Sequence, residues 1–227
     1  MMTFDVITIF PNSLRGYLGE SIIGRAEKNK LVKIRLHDLR GFSESKHKKV
    51  DDRPYGGGPG MVLMLQPIVS AMERVAKLLG PRGGKAETEA VVFAAGGKQF
   101  DQKMADLWAR RRKHLVLICG HYEGIDARLV PILKKSGWKV SEVSIGPYVL
   151  TGGEVPAMAV IDAISRRLPG ALGKAESVEE KRQGIGIPAF TRPEVFVRRG
   201  KKYPVPKELL SGNHRLIERW RLEHRGK

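Results

Sequence analysis

His114-Leu115-Val116-Leu117-Ile118-Cys119-Gly120-His121-Tyr122-Glu123-Gly124-Ile125-Asp126 decides the fold. Five apolar residues follow His114, too few for a helix and rich in branched side chains, so His114 to Cys119 reads as a buried strand. The polar, glycine-containing loop that follows leads into a helical pattern from Ala127 to Lys134. A second β-branched run, Lys139 to Ile145, comes next. Strand, loop, helix and strand in that order imply parallel pairing through a right-handed crossover.

Working outward, Phe4 to Phe10, Leu31 to Leu36 and Ala90 to Ala94 read as further strands. Helical patterns cover roughly Gln66 to Leu79, Asp101 to Arg111 and Val155 to Leu168. The class is α/β. Pro169-Gly170 stops the last helix. Three regions follow: a domain over 1–170, a linker or mobile loop over 171–190, and a short basic helical segment over 191–227. In that last segment eleven Lys and Arg stand against four Glu. Leu216, Ile217 and Trp220 are spaced to share one face of a final helix.

The chain of 227 residues carries 41 Lys and Arg against 24 Asp and Glu, a net charge of +17. A surplus of that size opposes compaction but draws in polyanions, so nucleic acid is the expected partner. The single cysteine, Cys119, excludes a disulfide framework. The six histidines lack metal-ligand spacing, and no metal site is expected. No apolar run is long enough to span a bilayer, and Met1 to Phe10 lacks a basic leader, so no membrane partner and a cytoplasmic location are expected.

In an open parallel sheet, ligands bind beyond the carboxyl ends of the strands. Three loops there are rich in glycine: Ala95 to Lys98, Gly120 to Asp126, and Gly146 to Glu154. A fourth, Asp51 to Gly60, lies earlier. None completes a dinucleotide, phosphate-loop, zinc-protease or nucleophile-elbow signature. What remains is a pocket of backbone and few side chains, suited to a flat purine-bearing cofactor. Glu154, three residues after Thr151, fits a capping box as well as a pocket role. Arg166 and Arg167 suit the last turn of a helix, and His121 reads as a satisfied polar residue.

Cys119 to Arg128, Ser144 to Met158, and the Asp51-Asp52-Arg53-Pro54-Tyr55-Gly56-Gly57-Gly58-Pro59-Gly60-Met61 loop together resemble the bacterial tRNA (guanine-N1)-methyltransferases, the TrmD family. Thr191 to Val195 and Leu210 to His214 match that family's later landmarks. The resemblance runs from Phe4 to about Leu222. It implies a SPOUT-type parallel sheet with a deep trefoil knot, a homodimer, and an active site shared between subunits. The implied reaction is methylation of guanine N1 at position 37 of tRNA, with S-adenosylmethionine as donor and Mg2+ left open.

By the family's pattern the cofactor pocket uses Gly120, Tyr122, Glu123, Ser144, Ile145, Gly146, Tyr148, Leu150, Gly152, Gly153 and Pro156. Phe93, Ala94, Ala95 and Gly96 cap it. Arg166 matches the catalytic arginine. The RNA side falls to Arg53, Tyr55, Gly58 and Glu123, and to Arg192, Arg198, Arg199, Lys201 and Lys202 in the basic segment, where the anticodon arm would lie.

Four departures stand out. Lys181 occupies the place of the family's general-base Asp within Ser177 to Arg182, so the base falls to Glu180 or Glu179. Pro147 replaces an Asp, the loop after Ala94 is one residue shorter, and the chain ends soon after Trp220 where the family continues. Two other readings compete with the enzyme: a non-catalytic RNA-binding protein keeping the fold, and a related knotted methyltransferase acting on another RNA site.

Overall fold

A computed structural model of the chain describes residues 1–80, 88–172 and 186–224. It divides into two compact units, Met1–Ala171 and Leu172–Lys227.

The first unit is built on five parallel strands: β1 (Met2–Thr8), β2 (Val32–Asp38), β5 (Thr88–Gln99), β6 (His114–Ile118) and β7 (Lys139–Ser144). Their order is β2-β1-β6-β5-β7. Side chains alternate with period two, and both faces are covered. Phe4, Val6, Val91, Phe93, Leu115 and Leu117 point to one face. There they pack on α1 (Pro11–Leu18), α2 (Ser21–Lys28), α4 (Gln102–Arg111) and α6 (Glu154–Ser165) through Leu14, Ile23, Trp108 and Ile161. Ile7, Ala90, Val92, Val116 and Ile118 point to the other face. These meet α3 (Leu65–Leu79) and α5 (Leu129–Lys135) through Ile68, Met72, Val75 and Leu133.

The doubly covered parallel sheet agrees with the α/β reading. The helices α1 and α2 were not expected. Each is only eight residues long, and Gly16, Gly19 and Gly24 blur their period. Gly24 is needed for packing, because a Cβ there would stand 2.1 Å from the Gly19 carbonyl oxygen. Two short strands, β3 (Asp51–Asp52) and β4 (Val62–Leu63), pair antiparallel at the two ends of the fourth glycine loop.

A larger correction concerns Ala95 to Lys98. It is no simple loop after a strand, because β5 runs on to Gln99. Phe93 and Lys98 both align with Val143 of β7, so Ala94 to Gly97 arch out of the ladder as a bulge. Gly97 permits the re-entry: a Cβ there would stand 2.6 Å from the Val143 nitrogen.

In the second unit, β8 (Val195–Arg198) and β9 (Lys201–Pro204) form an antiparallel hairpin, followed by α7 (Lys207–Leu210) and α8 (His214–Glu223). The expected basic helical segment is thus half hairpin. Asn213 caps α8 by accepting from the Arg215 and Leu216 amides, which contributes about 1 kcal/mol. The predicted apolar face divides: Trp220 is buried, with Phe190 edge-on and His224 stacked at 4.2 Å, whereas Leu216 is exposed. Among the described residues no helix is long and apolar enough to cross a membrane.

Candidate active site

The carboxyl ends of β5, β6 and β7 open into one cavity of about 620 Å³. The size lies in the range of small-molecule sites. Each strand delivers one wall. From β5 comes the bulge, with Phe93, Ala94 and Ala95; from β6, Gly120 to Ala127 and Leu129; from β7, Ser144, Ile145 and Tyr148 to Gly153.

The walls are tied together by backbone. The Gly153 amide donates to the Gly120 carbonyl at 2.9 Å, and His121 bridges Gly152 in antiparallel fashion. A Cβ on Gly153 would stand 2.5 Å from the Cys119 Cα, so only glycine lets α6 begin this close to the end of β6. The Ser144 hydroxyl donates to the Gly146 carbonyl at 2.8 Å and accepts from the Gly146 amide at 3.3 Å. That local turn reverses the chain after β7, and the Tyr148 ring folds back on Gly146, where a Cβ would meet it at 2.2 Å.

The fourth glycine loop belongs to this assembly. The Glu123 amide donates to the Met61 carbonyl, the Leu63 amide to Gly124, and the Asp126 amide to Leu63. Gly60, at φ +81°, lies against the Glu123 carboxylate. Its tip projects outward: Arg53 and Gly58 are exposed, and Tyr55 is fully exposed.

Most residues expected to hold a cofactor surround the cavity: Phe93, Ala94, Ala95, Gly120, Tyr122, Glu123, Ser144, Ile145, Tyr148, Leu150, Gly152, Gly153 and Pro156. Gly96 sits exposed on the outer part of the bulge, and Gly146 is covered by Tyr148. Sequence reasoning missed Val92, Ile125, Asp126, Val130, Pro131, Glu142 and Val143 of the lining. Several of these are core residues of β5, α5 and β7, whose apolar pattern carries no functional signal. Asp126 alone was legible, as the last polar residue of its loop.

The charge of the lining is the reverse of the protein's. Glu123, Asp126 and Glu142 contribute carboxylates, and among the described residues no Lys or Arg lines the cavity, although the chain carries +17. A hydrogen bond from Arg128 holds the Asp126 carboxyl below its ordinary value, so it is a carboxylate.

Glu154 has neither of its expected roles. It is the first residue of α6, with Gly153 at the cap and no side-chain capping bond. Its carboxylate is buried and accepts from the Thr8 hydroxyl at 2.6 Å. His121 is not satisfied as expected either, because its Nδ1 is buried without a hydrogen-bond partner while its ring packs edge-on against Phe10 and Tyr122. Burial, with Glu154 nearby, pushes the Cys119 thiol up, which leaves it neutral and a poor nucleophile.

Arg166 follows α6 as its C-cap and is half-buried. Gly153 and Pro156, at the other end of that twelve-residue helix, line the cavity. Twelve residues of helix rise about 18 Å. Arg167 pairs with Asp106 at 2.6 Å. Glu179, Glu180 and Lys181 lie outside the described residues. In the second unit, Arg192 and the hairpin's Arg198, Arg199, Lys201 and Lys202 are all exposed. Among the described residues no three His, Cys, Asp or Glu side chains group to hold a metal.

The family described as tRNA (Guanine-1)-methyltransferase TrmD matches residues 2–227. The chain belongs to the tRNA (guanine-1)-methyltransferase family. It is therefore an enzyme of that family. Curated relatives named tRNA (guanine-N(1)-)-methyltransferase include that of Alkaliphilus oremlandii, 45% identical over 97% of this chain and 86% of the relative. The Ruminiclostridium cellulolyticum enzyme is 43% identical over 98% and 90%. The Moorella thermoacetica enzyme is 45% identical over 97% and 84%. The match to the tRNA (guanine-1)-methyltransferase family thus takes in both compact units, the cavity and the basic hairpin.

Proposed function

We propose that the protein transfers a methyl group from S-adenosylmethionine to N1 of guanosine 37 in tRNA, beside the anticodon. The observation that carries this reading is the cavity at the ends of β5, β6 and β7: carboxylate-lined, free of Lys and Arg among the described residues, in a family of tRNA methyltransferases.

The cofactor's chemistry fits that lining. Its sulfonium and ammonium charges suit a wall that holds Glu123, Asp126 and Glu142. Its purine suits the apolar surfaces of Val143, Leu150 and Pro156, and the glycine backbone at Gly120, Gly152 and Gly153 allows close approach. When bound, it supplies a methyl group already activated for transfer. The lining residues bind and orient it, and positioning of this kind supplies much of the rate.

Guanine N1 carries a proton at neutral pH, so a base must remove it. Glu180, or Glu179, takes that proton, because the lysine at 181 cannot. Arg166 stabilises the negative charge that develops on O6. A homodimer with a shared site completes the proposal. It is supported by the place of Arg166 at the far end of α6 from the cavity, so that Arg166 of one protomer serves the cavity of its partner. A trefoil knot, a cytoplasmic location and contact of Arg53, Tyr55 and Gly58 with the RNA belong to the same reading.

The test is methyl transfer from labelled S-adenosylmethionine to a tRNA transcript with guanosine at position 37, against one with adenosine there. Guanosine-dependent incorporation is expected, and running it with and without Mg2+ decides the ion's role. No incorporation, with cofactor and tRNA each bound, would instead point to an RNA-binding protein without a base.

A further inference from the structure

The hairpin of β8 and β9 carries an ordered arrangement beyond its charge. Its register sets Phe196 opposite Tyr203, and Arg198 opposite Lys201. Residues directly opposite share a face, as do residues two apart on one strand. Phe196, Tyr203, Arg198 and Lys201 therefore stand on one face, and Val195, Val197, Lys202 and Pro204 on the other.

The aromatic pair does not seal a core. Phe196 is 56% exposed and Tyr203 49%. The Lys201 ammonium lies 5.6 Å from the centre of the Tyr203 ring, a cation–π contact. Between Val195 and Pro204 there are four cations and no carboxylate. Arg199 and Gly200, at φ 49° and 74°, turn the chain in two residues. The turn places Arg198 and Lys201 beside the rings instead of on a separate loop.

We propose that this face is a stacking platform for an unpaired base of the RNA substrate, with Arg198 and Lys201 on the flanking phosphates. The inference rests on the reading of the substrate as RNA. Flat aromatic surface next to fixed cations matches a base between two phosphates, and it does so whatever the base. Base-paired RNA hides its ring faces, so the platform selects a loop over a duplex. Val197 and Lys202, on the opposite face, contribute charge but no aromatic surface.

The experiment uses the full chain, a stem-loop RNA carrying 2-aminopurine in its loop, and a duplex of equal length. Stacking quenches the probe. Phe196→Leu and Tyr203→Leu keep apolar bulk, and each is expected to weaken stem-loop binding roughly tenfold, abolish the quenching, and leave duplex binding unchanged. Phe196→Tyr and Tyr203→Trp are expected to retain both. Unchanged stem-loop affinity in the leucine variants overturns the platform, as does an equal loss on loop and duplex, or a preference of the wild type for anionic vesicles over RNA. Methyl transfer by the wild type, measured on the same preparation, separates the two readings. Transfer with indifferent leucine variants removes the platform alone. A wild type that neither binds RNA nor transfers methyl removes the proposed function, and the platform with it.

Discussion

Thr8, the last residue of β1, donates its hydroxyl to the buried carboxylate of Glu154 at the start of α6, across 146 residues of chain. The same hydroxyl accepts from the Phe10 amide at 2.9 Å. One side chain thus ties a strand end, the next turn and the helix that borders the cavity. Thr8→Val keeps the shape and removes the donor, leaving Glu154 buried and unpaired. It is expected to cost about 1–3 kcal/mol. Urea unfolding checks this: the midpoint should fall with an unchanged slope.

Arg166→Ala is expected to lower turnover by roughly 100- to 1000-fold, with cofactor affinity little changed. The proposed sharing of the site between protomers adds a stricter expectation. Leu150→Arg puts a cation into a cavity that has none among the described residues and should abolish cofactor binding. Mixing it with Arg166→Ala should restore activity, since one site of the heterodimer is then intact. A mixture as dead as its parents would place Arg166 and the cavity in the same protomer.

Glu180→Gln is expected to reduce turnover far more than cofactor affinity, with Glu179→Gln as its comparison. Raising the pH should partly rescue the variant, because guanine N1 loses its proton more readily there. A rate equal to wild type in Glu180→Gln would take that residue out of the mechanism.

Gly97→Ala sets a Cβ against the backbone of Val143 and Glu142 at 2.6–2.7 Å. The arch of β5 must shift, at a cost of roughly 1–3 kcal/mol. Because Ala94 and Ala95 stand on that arch and line the cavity, S-adenosylmethionine affinity should drop as well. Calorimetric titration reads it, and unchanged binding would detach the arch from the site.

Asp5 is fully buried on β1 and accepts from Arg35, His37 and His114. Burial alone would raise its carboxyl, but the bonds from His114, His37 and Arg35 outweigh it and hold the group well below the usual range. A carboxyl lowered on folding stabilises the protein above the unfolded value of about 3.9 and loses that contribution as pH falls towards the folded value. Asp5→Asn should therefore cost about 3 kcal/mol at neutral pH and flatten the stability profile below pH ~4. Denaturation at stepped pH decides it, a parallel profile being the contrary result.

The sheet and four of its helices were legible because their signals are local. A buried parallel strand such as His114 to Cys119 is a short apolar run, and α4 opens on Asp101, which accepts from the Met104 amide. What escaped depends on distant partners. Glu154 read as a cap or a pocket residue because Thr151 precedes it in a glycine-rich loop, while Thr8 is invisible from that window. Glu142 and Val130 line the cavity because β7 and α5 border it, which no spacing announces. The hairpin hid behind its own lysines, since a basic tract with Gly200 reads equally as a solvated turn. Tyr203 opposite Phe196 is a matter of register, and register needs the turn.

The arch in β5 has a wider meaning. Ala94 to Gly97 leave the ladder and return to the same neighbour, Val143, so the excursion is closed on a single residue. A segment tethered in that way can gain or lose a residue without shifting the pairing on either side. Evolution can therefore adjust the depth of the pocket there while the sheet stays constant.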